Sequence, residues 1–329
     1  YMARFERTGF TAAEVADINL LVGKQLRVDQ SLSVGSTTET IQVTDAAPLI
    51  DVSSPKIAHN VTAEEFDKLP KPRSFQALAL TSTSVNTGDI EGGFQVNGAS
   101  GAENQFTIDG VSTTSLINGK SRQDALFEIL QEVQVKTGGV DAEYGGAMGG
   151  VISAITKSGG NDFHGELHYY LSGNKISSAP VKRLLLDPRD ERTVSFVQDS
   201  KFKNDSHEVG GSIGGRLIKD KLFFFSAFSP RFRSESNDYE FSGNQSGTLE
   251  RDSNFWAMFH KLSWDPTRRV RTNFTYLWSP TTVDGSLLGY SLGPNQSSQT
   301  LQSASFNKAI GTFSPQSSYT GQVDVTTSN

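Results

Sequence analysis

From Asp162 onward the sequence falls into segments of about nine to eleven residues that alternate apolar and polar, and the connections between them take turns at being short and long. Phe163 to Leu171 comes first, and a long polar stretch separates it from Glu208 to Ile218. Only Lys219-Asp220-Lys221 divides that segment from Leu222 to Phe232, and a second long connection then runs to about Asn254. Phe255 to Trp264 and Val270 to Trp278 are joined by Asp265-Pro266-Thr267-Arg268-Arg269. A third polar stretch with Gly285, Gly289, Gly293 and Pro294 leads to weaker strands near 300–312 and 319–326.

Period-two alternation gives a strand one chemistry on each face. His164, Glu166, His168 and Tyr170 oppose Phe163, Leu167, Tyr169 and Leu171. Val209, Ile213 and Leu217 oppose Glu208, Ser212 and Arg216, and Val270, Phe274, Tyr276 and Trp278 oppose Arg271, Asn273 and Thr275. One side suits lipid and the other a wet lumen. Trp256, Trp264, Tyr276 and Trp278 crowd the strand ends, where aromatic girdles lie at membrane interfaces. The competing reading is an antiparallel sandwich with one wet face, but a sandwich has no reason to sort its loops by parity. Two features fit the membrane reading poorly: His260 on the apolar side, and the run Leu222 to Phe225, apolar on both sides.

No apolar run reaches the roughly 18 residues of a membrane helix, which leaves barrels untouched, because a barrel strand needs only alternate apolar residues. The chain has no cysteine, which removes disulfide frameworks and thiolate metal sites, and its net charge of −6 argues against a nucleic-acid partner. Tyr1 to Phe5 lacks a basic region followed by an apolar stretch and falls within a strand pattern, as expected of a chain that starts part-way into a longer protein.

Upstream of the alternating region the pattern differs. In residues 1–45, Ala16 to Val22 and Gln25 to Val34 alternate in part, as short strands of a small all-β sandwich would. Residues 46–160 mix small elements. Ala63 to Leu69 reads as a short helix, with Thr62 and Glu65 as capping-box partners and Pro70 and Pro72 as its stop. Ser74 to Leu80 and Gln123 to Leu130 read as further short helices. Phe94 to Val96, Gln105 to Ile108, Val133 to Val135 and Gly149 to Thr156 read as strands.

Four elements in the right order across residues 69–171 carry a family resemblance. Asn97-Gly98-Ala99-Ser100, followed by Asn104 to Val111 with its Asp109-Gly110 turn, resembles the plug motif of TonB-dependent outer-membrane receptors. Leu130 to Val135 resembles the plug segment that leads into its last hairpin. Asp141 to Ile152, with Tyr144, Gly145, Gly149 and Gly150, resembles the motif that directly precedes the first barrel strand. Leu32 to Gly35 with Ala47-Pro48 is similar to the carboxypeptidase-regulatory-like domain of the Oar-like and SusC-like branches, and Leu69-Pro70 with Arg73-Ser74-Phe75 is closer to Oar-like receptors.

The resemblance implies a mainly β chain: the end of a small β-sandwich over residues 1–45, an α+β plug over 46–160, and the first strands of an antiparallel transmembrane β-barrel over 161–329. The barrel is incomplete, since such transporters use 22 strands. It implies a non-enzymatic receptor in the outer membrane, with the plug and N-terminal domain on the periplasmic side. The expected function is uptake of an oligosaccharide, siderophore or peptide through rearrangement of the plug, with surface adhesion or assembly as the alternative. Its partners would be the periplasmic domain of TonB and outer-membrane lipid, with no cofactor.

Glu39-Thr40-Ile41-Gln42-Val43-Thr44 resembles a TonB box, gripped by strand addition; it also reads as the last strand of the sandwich. Gly138, Gly139, Gly145, Gly146, Gly149 and Gly150 read as close-packing or hinge positions, and Asp109 as a turn cap. His164 and His168 with Glu166 lack the spacing of a helical metalloprotease motif and read as a polar row facing the lumen.

Overall fold

A computed structural model describes residues 1–16, 18, 20–23, 26–35, 40–43, 57–68, 75–87, 94–115, 121, 127–140, 144–186, 192–198, 203–241, 245–287 and 310–327. The chain is mainly β and divides into two compact units, Tyr1–Thr156 and Lys157–Asn329.

In the first unit, β1 (Ala3–Phe5), β2 (Ala12–Val15) and β3 (Thr40–Val43) form a three-stranded sheet in that order. β2 pairs β1 antiparallel and β3 parallel. Of the strands expected at Ala16–Val22 and Gln25–Val34, Asp17, Asn19 and Gln25 lie outside the described residues; the described ones form no strand, and Val34 makes only an isolated bridge with Phe10. Alternation makes a strand only where a neighbour takes its backbone groups, and here Ala12–Val15, two of whose alanines are buried, has that neighbour.

After β4 (Ile57–Thr62) comes α1 (Ala63–Lys68), which Glu65 caps by accepting the Thr62 N–H at 2.9 Å. A 3₁₀ turn over Gln76–Thr81 stands where the second helix was expected, and the hairpin of β5 (Val85–Thr87) and β6 (Phe94–Val96) follows. β7 (Gln105–Ile108), β8 (Val111–Ser112), β9 (Leu130–Gly138) and β10 (Val151–Thr156) complete a five-stranded mixed sheet in the order β4-β9-β10-β7-β8. Only β7 and β10 run parallel in it. Of the helix expected at Gln123–Leu130, residues 122–126 lie outside the described residues and Phe127–Ile129 is a 3₁₀ turn. Its core is Val61, Phe75, Leu78, Phe106, Ile129, Val133, Val135 and Ile152, with Phe75 and Phe106 edge to face at 6.4 Å.

The second unit is an open antiparallel sheet of ten strands. Its strands are β11 (His164–Ser172), β14 (Lys203–Ile218), β15 (Leu222–Phe228), β16 (Arg231–Phe241), β17 (Gln245–Phe255), β18 (Met258–Thr267), β19 (Val270–Trp278), β20 (Thr281–Gly285), β21 (Gly311–Ser314) and β22 (Ser317–Val325). A separate hairpin of β12 (Arg183–Leu186) and β13 (Val194–Val197) sits in the first long connection.

Four pairs of these strands are halves of longer runs. β15 and β16 both pair along β14, broken at Ser229-Pro230; β18 and β17 pair back along them, broken at Trp256-Ala257. β19 and β20 follow with a break at Ser279-Pro280, and β22 and β21 with one at Pro315-Gln316. The breaks stand side by side. Across them the Val209, Ser229, Trp256 and Ser279 N–H groups donate to the Pro230, Ala257, Pro280 and Gln316 carbonyls at 2.9–3.3 Å. A proline lacks the N–H a ladder needs and is confined to such bulges.

The stretch read as a second long connection is therefore strand: the chain runs on to Phe241 and returns from Gln245. Register puts Leu217, Ile213 and Val209 of β14 on one face with Phe224 and Phe228 of β15, Leu262 and Trp264 of β18, and Phe274 of β19. Beyond the breaks that same face carries Ser234, Ser236 and Asp238 on β16 and Asp252 and Glu250 on β17. The apolar band thus ends at the line of breaks, where Trp256 packs on Phe228 at 6.2 Å and on Phe232 at 5.5 Å. Val209 to Leu217 and Trp256 to Trp264 are each nine residues, eight steps or about 27 Å along the strand, or about 20 Å of height at barrel tilt. That approaches the band height of roughly 25 Å in outer-membrane barrels.

Candidate functional site

The plug motifs are turns made by residues that tolerate a left-handed backbone. Asn97 (φ 53°) and Gly98 (φ 81°) turn the chain after β6, and Asp109 (φ 47°) and Gly110 (φ 80°) make the two-residue link between β7 and β8. Successive positive φ values fit the type I′ hairpin turn, which selects Asn-Gly and Asp-Gly.

Asn97, Gly149 and Gly150 converge on one end of the plug sheet. The Asn97 amide donates to the Thr137 carbonyl. Buried Asn104 accepts the Gly150 N–H at 2.9 Å and donates to the Phe94 and Gly101 carbonyls. A Cβ at Gly149 would lie 2.5 Å from Asn104 Oδ1, and one at Gly150 would lie 2.8 Å from Val96 Cγ2 and 3.0 Å from the Lys136 carbonyl oxygen. These two glycines are close-approach positions, whereas Gly145 has open space where its Cβ would be. Tyr144 accepts from Lys136 Nζ at 3.1 Å and places its ring 4.2 Å below that ammonium. A desolvated cation–π pair of this kind contributes up to about 2 kcal/mol.

Asp109 and Gly110 stand at the other end of the same sheet. The Asp109 carboxylate reaches β10, accepting the Thr156 N–H at 2.9 Å and the Thr156 hydroxyl at 2.5 Å. These bonds tether the turn to a residue 47 positions further along the chain.

A second cluster has no counterpart in the sequence reading. Glu132 on β9 accepts the Val22 N–H with both carboxylate oxygens, each at 3.2 Å. Asn60 on β4 donates to the Val22 carbonyl at 3.0 Å, and Gln134 on β9 donates to it as well. Glu132 and Gln134 are buried. The polar alternation of Glu132 and Gln134 within Leu130–Val135 was the available signal; their partner, a backbone group more than a hundred residues away, leaves no trace in composition.

Of the TonB-box candidate, Thr40–Val43 is β3, paired parallel to Ala12–Val15, while Glu39 and Thr44 lie outside the described residues. In the second unit His164 stacks on Phe225 at 6.3 Å, and His168 meets the Ser229 hydroxyl at 3.0 Å. That hydroxyl also donates to Glu208 at 3.3 Å. The outward His260 is satisfied in place, with Nδ1 2.9 Å from Ser226 Oγ and its ring stacked on Tyr276 at 6.3 Å.

Residues 51–151 match the TonB-dependent receptor plug domain, and residues 155–329 match an outer membrane beta barrel domain. The TonB-dependent transporter Oar of Myxococcus xanthus is 31% identical over 241 residues, covering 70% of this chain and 22% of Oar. The ferrienterobactin receptor of Escherichia coli is 30% identical over 162 residues, covering 42% of this chain and 21% of that receptor. The outer membrane transporter YddB of Escherichia coli shares the fold, with a TM-score of 0.54 at 19% identity, over 71% of this chain and 35% of YddB. The chain thus spans about a fifth of the length of these two sequence relatives, and its sheet is the partial barrel that such a span supplies. A plug-type mixed sheet with these turns is followed by strands with an apolar outward band, and with the plug and barrel matches and the likeness to Oar this places the chain among the TonB-dependent receptors of the outer membrane.

Proposed function

We propose that this chain is part of a transporter that takes up a ligand across the outer membrane by TonB-coupled rearrangement of the plug. Residues 1–45 are read as the end of a carboxypeptidase-regulatory-like module, 46–160 as the plug and 161–329 as the first part of the barrel. The reading rests on one observation: a small mixed sheet of plug type is followed in the chain by an antiparallel sheet with an apolar band on one face. The family is one of receptors rather than enzymes.

The TonB periplasmic domain would grip Glu39–Thr44. In support, β3 stands last in the order β1-β2-β3, so one of its edges has no strand partner among the described residues. A strand edge offers a ready row of main-chain donors and acceptors for strand addition. Of the relatives named above, one carries its ligand in its name, the ferrienterobactin receptor; for this chain the ligand classes are oligosaccharide, siderophore and peptide.

Cells expressing the full-length gene test it. At least one medium component is expected to be depleted by expressing cells alone, and only while the proton gradient is intact; depletion that ignores a protonophore would sink the uptake reading. A cysteine replacing Gln42 is expected to cross-link to cysteine-bearing TonB, and Ile41→Pro, which removes a backbone donor, to abolish the cross-link. Undiminished cross-linking in that variant would remove the box assignment.

A further inference from the structure

Above the line of breaks, the face opposite the apolar band carries a cluster of guanidinium groups. Arg231, Arg233 and Glu235 alternate along β16, and register sets Phe255 opposite Arg231 and Arg251 opposite Glu235 on β17. Lipid covers the apolar face of a barrel, so this opposite face belongs to the lumen.

The arginines are held in place. Glu235 accepts from Arg233 Nη2 through one oxygen at 2.8 Å, and from Arg251 Nε through the other at 2.9 Å. Arg233 Nε also donates to Asn204 at 3.0 Å, and the Arg231 guanidinium lies 5.0 Å above the Phe255 ring. The carboxylate side chain is only 10% exposed, whereas those of Arg233 and Arg251 are 43% and 36% exposed. Glu208, across from Arg231 in register, is likewise buried. Negative charge is therefore sunk into the sheet and the cationic ends stand out from it. A guanidinium presents five donors in a fixed fork, so one bound side-on to a carboxylate keeps further N–H groups for a second acceptor. Fixing the forks beforehand removes the ordering cost of binding.

We propose that Arg231, Arg233 and Arg251 form a binding site for a ligand bearing carboxylate or phosphate groups, with Glu235 as the positioning residue and Phe255 as an apolar shelf. This rests on the uptake reading only for its biological meaning: binding to the detergent-extracted receptor needs neither TonB nor a proton gradient, so either reading can fail alone.

Calorimetric titration of the full-length receptor with citrate, and separately with inorganic pyrophosphate, tests the site and tells carboxylate from phosphate recognition. At least one probe is expected to bind, with affinity falling tenfold or more in the Arg233→Gln/Arg251→Gln double variant. Absence of binding by both probes, or equal affinity in the double variant, overturns the proposal. Should that variant fail to fold, phenylglyoxal modification of the unaltered receptor decides instead. The bound probe is expected to slow modification of Arg231, Arg233 and Arg251 but not of Arg268 and Arg269 at the opposite strand ends; equal modification with and without probe overturns it.

Discussion

Asp109 holds Thr156 by its backbone and its hydroxyl at once, 2.9 and 2.5 Å from the two carboxylate oxygens. The contact joins the two-residue turn after β7 to the last residue of β10, which is also the last residue of the first unit. Thr156 is 1% exposed, so its donors have no water to fall back on. Hydrogen bonds to a charged acceptor contribute about 1.5–3 kcal/mol each. Asp109→Ala is expected to raise hydrogen exchange of the Thr156 amide by roughly ten- to a hundredfold, with Asp109→Asn intermediate. Unchanged exchange at Thr156 would show that the tether carries no local stability.

The glycines of the 144–152 motif are not equivalent. Alanine at Gly150 would drive a methyl to 2.8 Å from Val96 and 3.0 Å from a main-chain oxygen, and alanine at Gly149 would press on the buried amide of Asn104. Overpacking of this kind costs about 1–3 kcal/mol. Gly150→Ala and Gly149→Ala are expected to make the plug more sensitive to limited proteolysis, while Gly145→Ala, with open space around its Cβ, is expected to leave the digestion pattern as it is. Equal sensitivity of all three would remove the distinction.

The membrane strands were legible because one of their faces is apolar, and legibility stopped where that condition stopped. Beyond the breaks, β16 and β17 carry Ser234, Asp238 and Asp252 on one face and Arg233 and Arg251 on the other. With both faces wet, strand and loop read alike. The two misfits have local explanations. Phe225 points to the buried face and Phe224 to the apolar one, so Leu222–Phe225 is apolar on both sides because both sides are covered or lipid-facing. His260 does face outward, with Ser226 and Tyr276 beside it. In the plug, the Asn-Gly and Asp-Gly turns were visible because their backbone geometry restricts residue choice. The clasp on Val22 was not, since a backbone partner can be any residue.

The line of breaks sets where charge becomes tolerable on the lipid side. Ile213 lies midway between Val209 and Leu217 on the outward face of β14. Arginine near the bilayer midplane costs about 2–4 kcal/mol, falling to about 0–1 at the interfaces. Ser234, on the same face beyond the breaks, lies between Asp205 and Asp252 in register. Ile213→Arg is therefore expected to lower the stability of the vesicle-folded receptor to urea by about 2–4 kcal/mol and Ser234→Arg by less than about 1. Similar losses at both positions would mean that the breaks do not mark the edge of the apolar band.

The clasp on Val22 makes a prediction of its own. Glu132 takes the Val22 N–H, and Asn60 and Gln134 take its carbonyl, so both backbone groups of one residue are satisfied by plug side chains. Gly23 fits beside them only because it lacks a side chain: its φ is 68°, and a Cβ would stand 2.8 Å from Gln134 Nε2. Glu132→Ala strips the acceptor from Val22 and from the Asn60 amide, whereas Glu132→Gln keeps one oxygen. Losing a charged acceptor costs about 1.5–3 kcal/mol, which raises the open population about ten- to a hundredfold. Val22→Cys places a cysteine in a stretch of 329 residues that has none and leaves the backbone bonds in place. Maleimide labelling of that cysteine is expected to accelerate at least tenfold with Glu132→Ala and with Gly23→Ala, and less with Glu132→Gln. Identical labelling rates in all four backgrounds would mean that the segment around Val22 is held by something other than this clasp.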